Sequence, residues 1–413
     1  MTDVVLSALR AAGAATVRPA EPGDAIAGVP ARYVAAPDST ARAAAIVRAA
    51  AAHGLAVVVR GAGTKQDWGA PPRRLDLVLD TRQLTGVVEH AAGDLITVVR
   101  AGTPDADLAA ELSRAGQQLP LDAPLPAATV GGTVAVNTSG PRRMLYGTAR
   151  DLLIGVTMVR PDGTVAHAGG KVVKNVAGYD LGKLLTGSYG TLGVITECAF
   201  RLHPLPATAA TVSRRVGDPA LAGRLVAAVL GAQVVPSAVE VDAAPDGAFE
   251  VAVLLEGVPA GVAQRVAATC RLLGGDPVVS TTPPAWRYPW GGGDTGLKLT
   301  AALSGVPALL AAGAAVRERH GVPLTVRGSA GTGVLYAGLP AATALDVVAA
   351  VVERLRAAAT DAAGHAVVLT APADVRDRVD LWGPVPGLEL MWRVKRRFDP
   401  DHRFAPGRFV GGI

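Results

Sequence analysis

Aromatic side chains and cysteine are both scarce in this sequence, and each shortage closes off functions. Only 4% of the 413 residues are Phe, Trp or Tyr, so the cores must be built from Ala, Val and Leu. A nucleic-acid binder usually shows a basic stripe with stacking aromatics. Here the net charge is +5, and Arg142-Arg143 and Lys395-Arg396-Arg397 are short, isolated clusters. Cys198 and Cys270 lie far apart and neither belongs to a Cys-x-x-Cys pair. That argues against zinc and iron–sulfur ligation and suits a reducing compartment. No stretch reaches about 18 uninterrupted apolar residues, so no membrane span is expected. The N-terminal run carries Asp3 and Arg10 and no long apolar segment, so no secretory signal is expected and the location implied is cytoplasmic.

Several catalytic signatures are also missing. There is no Gly-x-x-x-x-Gly-Lys-Ser/Thr, no Gly-x-Ser-x-Gly and no His-Glu-x-x-His. The histidines (His53, His90, His167, His203, His320, His365 and His402) stand singly, and no metal site is expected.

What is present is glycine in three ordered loops. Arg60-Gly61-Ala62-Gly63-Thr64-Lys65 directly follows an apolar strand, Leu55 to Val59. It fails as a Rossmann fingerprint, because Gln66 takes the third glycine position and Trp68-Gly-Ala-Pro-Pro72 cannot open a helix. What survives is a tight loop of backbone N–H groups beside a cation, suited to a pyrophosphate. The second stretch, Ala128-Thr129-Val-Gly131-Gly132-Thr-Val-Ala-Val-Asn137-Thr-Ser139-Gly140, offers N–H, amide and hydroxyl donors in a small space. The third runs from Lys174 through Asn-Val-Ala-Gly-Tyr-Asp180, a short helix over 181–185, and Gly187, Gly190 and Gly193 into a strand from Val194. Glycines so spaced let a backbone approach something flat or phosphorylated.

The length exceeds one ordinary core, so two domains are expected. Over the first 200 residues short strands and helices (38–54 and 104–115 among them) imply an α+β domain rather than a βαβ series. From Asp218 the order is helix, two strands, helix, then strand, helix, two strands, helix, strand. That recurrence implies a duplicated split-βαβ unit: an antiparallel sheet covered by helices. The boundaries expected are 1–210, 211–385, and a segment 386–413 that returns to the first domain.

Taken together, Arg60-Gly-Ala-Gly-Thr, Thr129 to Gly140, Tyr146-Gly-x-x-Arg-Asp151 and Lys174 to Glu197 resemble the PCMH-type FAD-binding domain of the vanillyl-alcohol oxidase superfamily. The Lys174-Asn-Val-Ala-Gly-Tyr-Asp180 wording resembles the glycolate oxidase branch, in particular its FAD-binding E subunit. The resemblance implies a two-subdomain FAD domain plus a cap. Arg60, Gly61, Ala62, Gly63, Thr64 and Lys65 would hold the FAD pyrophosphate. Ala128, Thr129, Gly131, Gly132, Asn137, Ser139, Gly140 and Tyr146 would follow the diphosphate, ribityl chain and ring edge. Gly193, Val194 and Ile195 would lie against the adenine side or ring, with Arg408 reaching back from the tail. Relatives with covalent flavin tether it through a histidine in the first loop; this loop has none, which implies non-covalent FAD.

Relatives acting on 2-hydroxy acids bind the substrate carboxylate with cap arginine and lysine, for which Arg287 and Lys298 are the counterparts. A planar fork and a point charge both suit a carboxylate. Two departures stand out. The family's paired-histidine metal site is reduced to His365 alone, and Glu389 is followed by leucine rather than histidine. Ala405 replaces the family's closing asparagine. No catalytic base is assigned. The resemblance implies a subunit of a glycolate oxidase-type complex that oxidises glycolate to glyoxylate, beside a catalytic flavoprotein subunit and an iron–sulfur subunit. Any membrane association would be peripheral, through that complex. The alternatives are a stand-alone FAD oxidase or dehydrogenase of another small hydroxylated substrate, and a structural FAD-fold subunit without turnover.

Overall fold

The computed structural model describes residues 3–13, 15–125, 127–170, 180–243, 247–282 and 286–413. The Lys174 to Tyr179 part of the third glycine stretch lies outside the described residues. Two compact units are present: residues 1–139, 147–205 and 385–413 form the first, and 140–146 with 206–384 form the second.

Within the first unit the strands are β1 (Thr16–Pro19), β2 (Tyr33–Ala36), β3 (Val57–Arg60), β4 (Leu77–Asp80), β5 (Val87–Ala91), β6 (Ile96–Arg100), β7 (Gln117–Gln118), β8 (Leu153–Val159), β9 (Val165–Gly169), β10 (Val194–Arg201) and β11 (His203–Pro204). A four-stranded sheet has the order β1-β2-β4-β3, with β2, β4 and β3 parallel. The helix Thr40–Ala52 covers it. Ser39 caps that helix by accepting from the Arg42 N–H at 3.3 Å, and Ala43, Ile46, Val47 and Ala50 face the core. Sequence reasoning starts β3 at Leu55. The structure starts it two residues later, because Leu55 donates its N–H back to the Ala50 carbonyl and closes the helix end. A five-stranded antiparallel sheet, β5-β6-β10-β8-β9, forms the second half of the unit. Its core contains Val99, Leu108, Leu112, Leu152, Met158 and Phe200.

The helix Leu388–Phe398 and the residues after it belong to this unit. Val57 of β3 donates to the Arg403 carbonyl at 2.7 Å and accepts from Ala405 at 2.8 Å, so the tail lies along the free edge of β3. Lys395, 1% exposed, pairs with the fully buried Asp399 at 2.7 Å. The same ammonium donates to the carbonyls of Thr191 and Phe404, both at 2.8 Å. Asp399 also accepts from the Phe404 N–H at 2.8 Å.

The second unit holds β12 (Thr208–Val216), β13 (Ala238–Ala243), β14 (Phe249–Gly257), β15 (Val278–Ser280), β16 (Thr295–Thr300), β17 (Thr325–Ser329), β18 (Val334–Leu339) and β19 (Ala366–Thr370) in one antiparallel sheet. The order is β15-β12-β14-β13-β17-β18-β16-β19. Each half is a β-α-β-β-α-β unit with its fourth, first, third and second strands side by side, and the two halves join through β13 and β17. This is the duplicated split-βαβ arrangement. Sequence reasoning lacks β12 and β15, the outer strands of the first repeat. Arg214-Arg215 breaks the apolar alternation of β12, and β15 is three residues long. Helices Pro219–Leu230, Pro259–Leu273, Val306–His320 and Leu345–Asp361 pack on the face carrying Val239, Val241, Val251, Val253, Leu297, Leu299 and Leu335. No helix among the described residues is long and apolar enough to cross a membrane.

Removing one member of a buried ion pair strands the other, at a cost of about 3–5 kcal/mol. Asp399→Asn is therefore expected to lower the unfolding free energy of the first unit by about that amount, measured by urea titration. Asp94→Asn, at an exposed carboxylate of the same unit, is expected to stay within about 0.5 kcal/mol of the parent.

Candidate functional site

Gly61, Ala62, Gly63, Thr64 and Lys65 leave the end of β3 and line one wall of a cleft in the first unit. Gly131 and Gly132 form a second wall, with Gly190, Gly193 and Ile195 opposite. These walls touch where side chains would collide. A Cβ on Gly61 would stand 2.2 Å from Thr129 Oγ1, and one on Gly131 would stand 2.7 Å from Ala101 Cβ. Gly193, at φ 149°, would place a Cβ 2.5 Å from the Val159 carbonyl oxygen. Thr129 is buried, and its hydroxyl accepts from the Gly132 N–H at 3.4 Å, capping the helix Val130–Ala135. The first two glycine loops thus pack backbone to hydroxyl, and the third is set by its pairing with β8.

Of the other expected residues, Arg408 lines this cleft and the rest fall elsewhere. The Arg60 guanidinium donates to Asp24 at 2.9 Å and to Asp80 at 3.2 Å. Arg18 pairs with Asp24 at 2.7 Å and Arg82 with Asp80 at 2.7 Å, so the cluster alternates in sign. Burial pushes the Asp80 carboxyl upward, but its bonds to Arg82 outweigh that and hold it below its usual value. Arg60 accordingly braces the loop behind the cleft. Ala128 is buried, its carbonyl accepting from the Asp105 N–H at 2.8 Å. Val194 turns its side chain into the apolar core. Ser139 accepts from the Ala149 N–H at 3.0 Å. Gly140 and Tyr146 belong to the second unit, where Tyr146 and Arg142 both hold Glu256 at 3.3 Å. Asn137 has φ 51° and a buried Oδ1 that lacks a partner among the described residues; Thr138 Oγ1 is in the same state. Arg408 is buried and lines the cleft, donating to the carbonyls of Gln66 at 2.8 Å and Trp68 at 2.7 Å.

Sequence reasoning missed Ser188 and Tyr189, which line the cleft beside Gly190. Tyr189 takes φ 56°, donates its N–H to the Ala135 carbonyl at 2.8 Å, and packs its ring 5.1 Å from that of Phe409. The signal available was its place inside the Gly187 to Gly193 run. In the second unit, Arg287 is exposed between Trp286 and Tyr288, whose rings lie 5.6 and 5.1 Å from that of Tyr336. Lys298 is the cross-strand neighbour of the same Tyr336. Lys298 and the two aromatic neighbours of Arg287 therefore sit around one tyrosine.

Lys65 carries the cleft's titratable charge. Burial pulls its ammonium down to about 8, against an opposing pull from Asp105. Burial pushes Asp105 up to about 6, despite the Thr133 hydroxyl donating at 2.6 Å and the charge of Lys65. Two cations, Lys65 and Arg408, and three glycine loops suit a diphosphate; Val58, Val59 and Ile195 suit a flat ring. The cleft thus fits a dinucleotide-sized flavin cofactor, and no histidine or cysteine lines it among the described residues.

Residues 31–169 match the family described as FAD binding domain. The chain therefore carries an FAD binding domain, and its cofactor is FAD. Among curated proteins it is similar to glycolate oxidase subunit GlcE of Escherichia coli, at 38% identity over 39% of this chain and 46% of that protein. It is also similar to glycolate oxidase subunit GlcD of Bacillus subtilis, at 32% identity over 50% and 44% of the two chains. D-lactate dehydrogenase of Archaeoglobus fulgidus follows at 36% over 41% and 38%. The chain spans less than half the length of these relatives. Its fold is shared with a chitooligosaccharide oxidase at TM-score 0.71 and 17% identity, covering 97% of this chain and 98% of the other. An alkyldihydroxyacetonephosphate synthase shares it at TM-score 0.68 and 15% identity, over 91% and 76%.

Gly61→Ala forces a methyl into Thr129, whereas Gly23→Ala meets nothing within 4 Å. Gly61→Ala is expected to purify with at least about tenfold weaker FAD retention, since overpacking costs about 1–3 kcal/mol. Gly23→Ala should remain yellow. Flavin absorbance per chain after gel filtration reads both.

Proposed function

We propose that this chain is the FAD-carrying subunit of a glycolate oxidase-type complex, oxidising a small 2-hydroxy acid such as glycolate. The observation that supports this most directly is the glycine-walled cleft with Lys65 and Arg408, in a chain whose curated relatives include two glycolate oxidase subunits. The bound flavin supplies two-electron acceptance; the protein supplies position and charge. Lys65 faces the cleft as a cation, Arg408 holds the first loop to the tail, and the backbone of Gly61–Lys65 and Gly131–Gly132 gives a close approach to the diphosphate. FAD is held without a covalent bond, since the loop over 60–65 offers no nucleophilic ring nitrogen.

Arg287, whose neighbours Trp286 and Tyr288 pack on Tyr336, and Lys298, the cross-strand neighbour of Tyr336, are the groups proposed to take the substrate carboxylate. In the same reading, electrons leave the flavin for an iron–sulfur subunit, and a second flavoprotein subunit completes the complex. The protein is placed in the cytoplasm, meeting a membrane only through that assembly.

Two measurements test the proposal. Affinity capture from the native lysate should bring down an iron–sulfur protein and a second flavoprotein, and capture of neither would sink the complex. Glycolate should bleach the flavin of the captured assembly. Bleaching by glycolate in the isolated chain would instead establish a stand-alone dehydrogenase.

The Lys65 cation has a sign that can be checked. It is present below about pH 8 and lost as pH rises past it. FAD release from the isolated chain is expected to increase across that range, read by fluorescence of free flavin. Lys65→Met should bind FAD more weakly at pH 7 and lose the step.

A further inference from the structure

The second glycine loop is held from behind by residues that do not line the cleft. Val130 donates its N–H to the Thr103 carbonyl at 2.9 Å, and Pro104 bridges to Thr129. Asp105 donates its own N–H to the Ala128 carbonyl at 2.8 Å. These rungs end at Asp105, the first residue of the helix Asp105–Ser113. Its half-buried carboxylate reaches the fully buried Thr133 hydroxyl, which donates to it at 2.6 Å. Thr133 lies in the helix Val130–Ala135, which carries Gly131 and Gly132.

The same carboxylate acts on the first glycine loop through its charge. Among the described residues Lys65 Nζ reaches only the neighbouring Thr64 hydroxyl, at 3.5 Å, and joins no ion pair. The charge that supports its ammonium is Asp105, and the cation that supports the Asp105 carboxylate is Lys65. Each is thus the other's counter-charge, one behind each loop. Other groups nearby do not take over that role. Cys198, near Asp105, stays a neutral thiol because burial pushes it up. Arg408 donates to the carbonyls of Gln66 and Trp68, and Asp107 on the Asp105 helix is exposed to solvent.

A diphosphate entering the cleft changes this balance. It brings an opposite charge to Lys65 and a like charge to Asp105, and both favour the protonated form of the group. Binding should therefore draw protons from solution wherever these groups titrate. Burial already pushes the Asp105 carboxyl up to about 6, so a modest further rise brings it to neutral pH.

We propose that Asp105 is a positioning residue for FAD, anchoring the second glycine loop through Thr133 and serving as the counter-charge of Lys65 until the diphosphate takes that place. On binding, Asp105 takes up a proton from solvent and keeps its Thr133 hydrogen bond as a neutral acid. This rests on the reading that Lys65 faces the diphosphate.

The test is calorimetric titration of the FAD-stripped full chain with FAD, in buffers of different ionisation heat, across pH. Proton uptake is expected from about pH 6 upward. The FAD Kd should rise about threefold from about pH 5.5 to about pH 7, a little over half a pKa unit in Asp105. Asp105→Asn should lose both the uptake and the rise, and bind FAD at pH 7 at least as tightly as the parent. Its Lys65 cation, without a counter-charge, should be lost at lower pH than in the parent. Thr133→Val keeps shape but removes the bond that favours the ionised carboxyl, so the uptake should move to higher pH. Thermal melting checks each fold, and Thr133→Val carries the test if Asp105→Asn melts early. Wild-type affinity in Lys65→Met would sink the diphosphate reading of Lys65. With Lys65→Met weakened, the parent's pH profile in Asp105→Asn or in Thr133→Val would overturn the role of Asp105 alone.

Discussion

The buried pair of Lys395 and Asp399 is the constraint on which the flavin cleft rests. A lysine and an aspartate taken out of water are tolerated only when paired and backed by further hydrogen bonds. Of this pair, only Asp399 Oδ1 lacks a partner among the described residues. Here the ammonium spends its other bonds on Thr191, in the turn that carries Gly190 and Gly193, and on Phe404, beside β3. One charged group therefore fixes the distance between two walls of the cleft. Arg408, four residues beyond Phe404, ties the same tail to the carbonyls that follow the first glycine loop.

The two cations of the first loop, Arg60 and Lys65, show how charge is divided. Arg60, which follows the apolar strand and resembles a phosphate ligand by position, is absorbed by Asp24 and Asp80. Its role is to keep the loop from moving while Lys65, less well paired, faces the cleft. A loop that must approach a diphosphate closely is better stiffened from behind by ion pairs than in front by side chains that would occupy the space.

What could be seen in the sequence follows from what is local. The glycine loops were legible because close backbone approach excludes a Cβ, and that exclusion is written residue by residue, as at Gly61 and Gly131. The repeat of the second unit was legible because each helix and most strands obey their own periodicity. The strand over 208–216 was not, since Arg214 and Arg215 sit where alternation would ask for an apolar residue. The role of Lys395 was hidden too. Within a basic run it resembles a solvated charge, and only Thr191, 204 positions earlier in sequence, reveals its burial. Tyr189 was passed over because its function depends on Phe409 and Ala135, neither a sequence neighbour.

The first unit is interrupted: residues 206–384 are inserted in the sequence between β11 and the segment that completes the cleft. During synthesis β3 and the glycine loops emerge early, but the edge of β3 has no partner until residues 403–405 are made. The whole second unit is translated in between. An unpaired parallel edge strand must wait exposed for that interval, a hazard for edge-to-edge association. The cleft lacks Arg408 and the Lys395 tie between Thr191 and Phe404 until the tail has left the ribosome, so the flavin site is completed only when the polypeptide has been made through its tail.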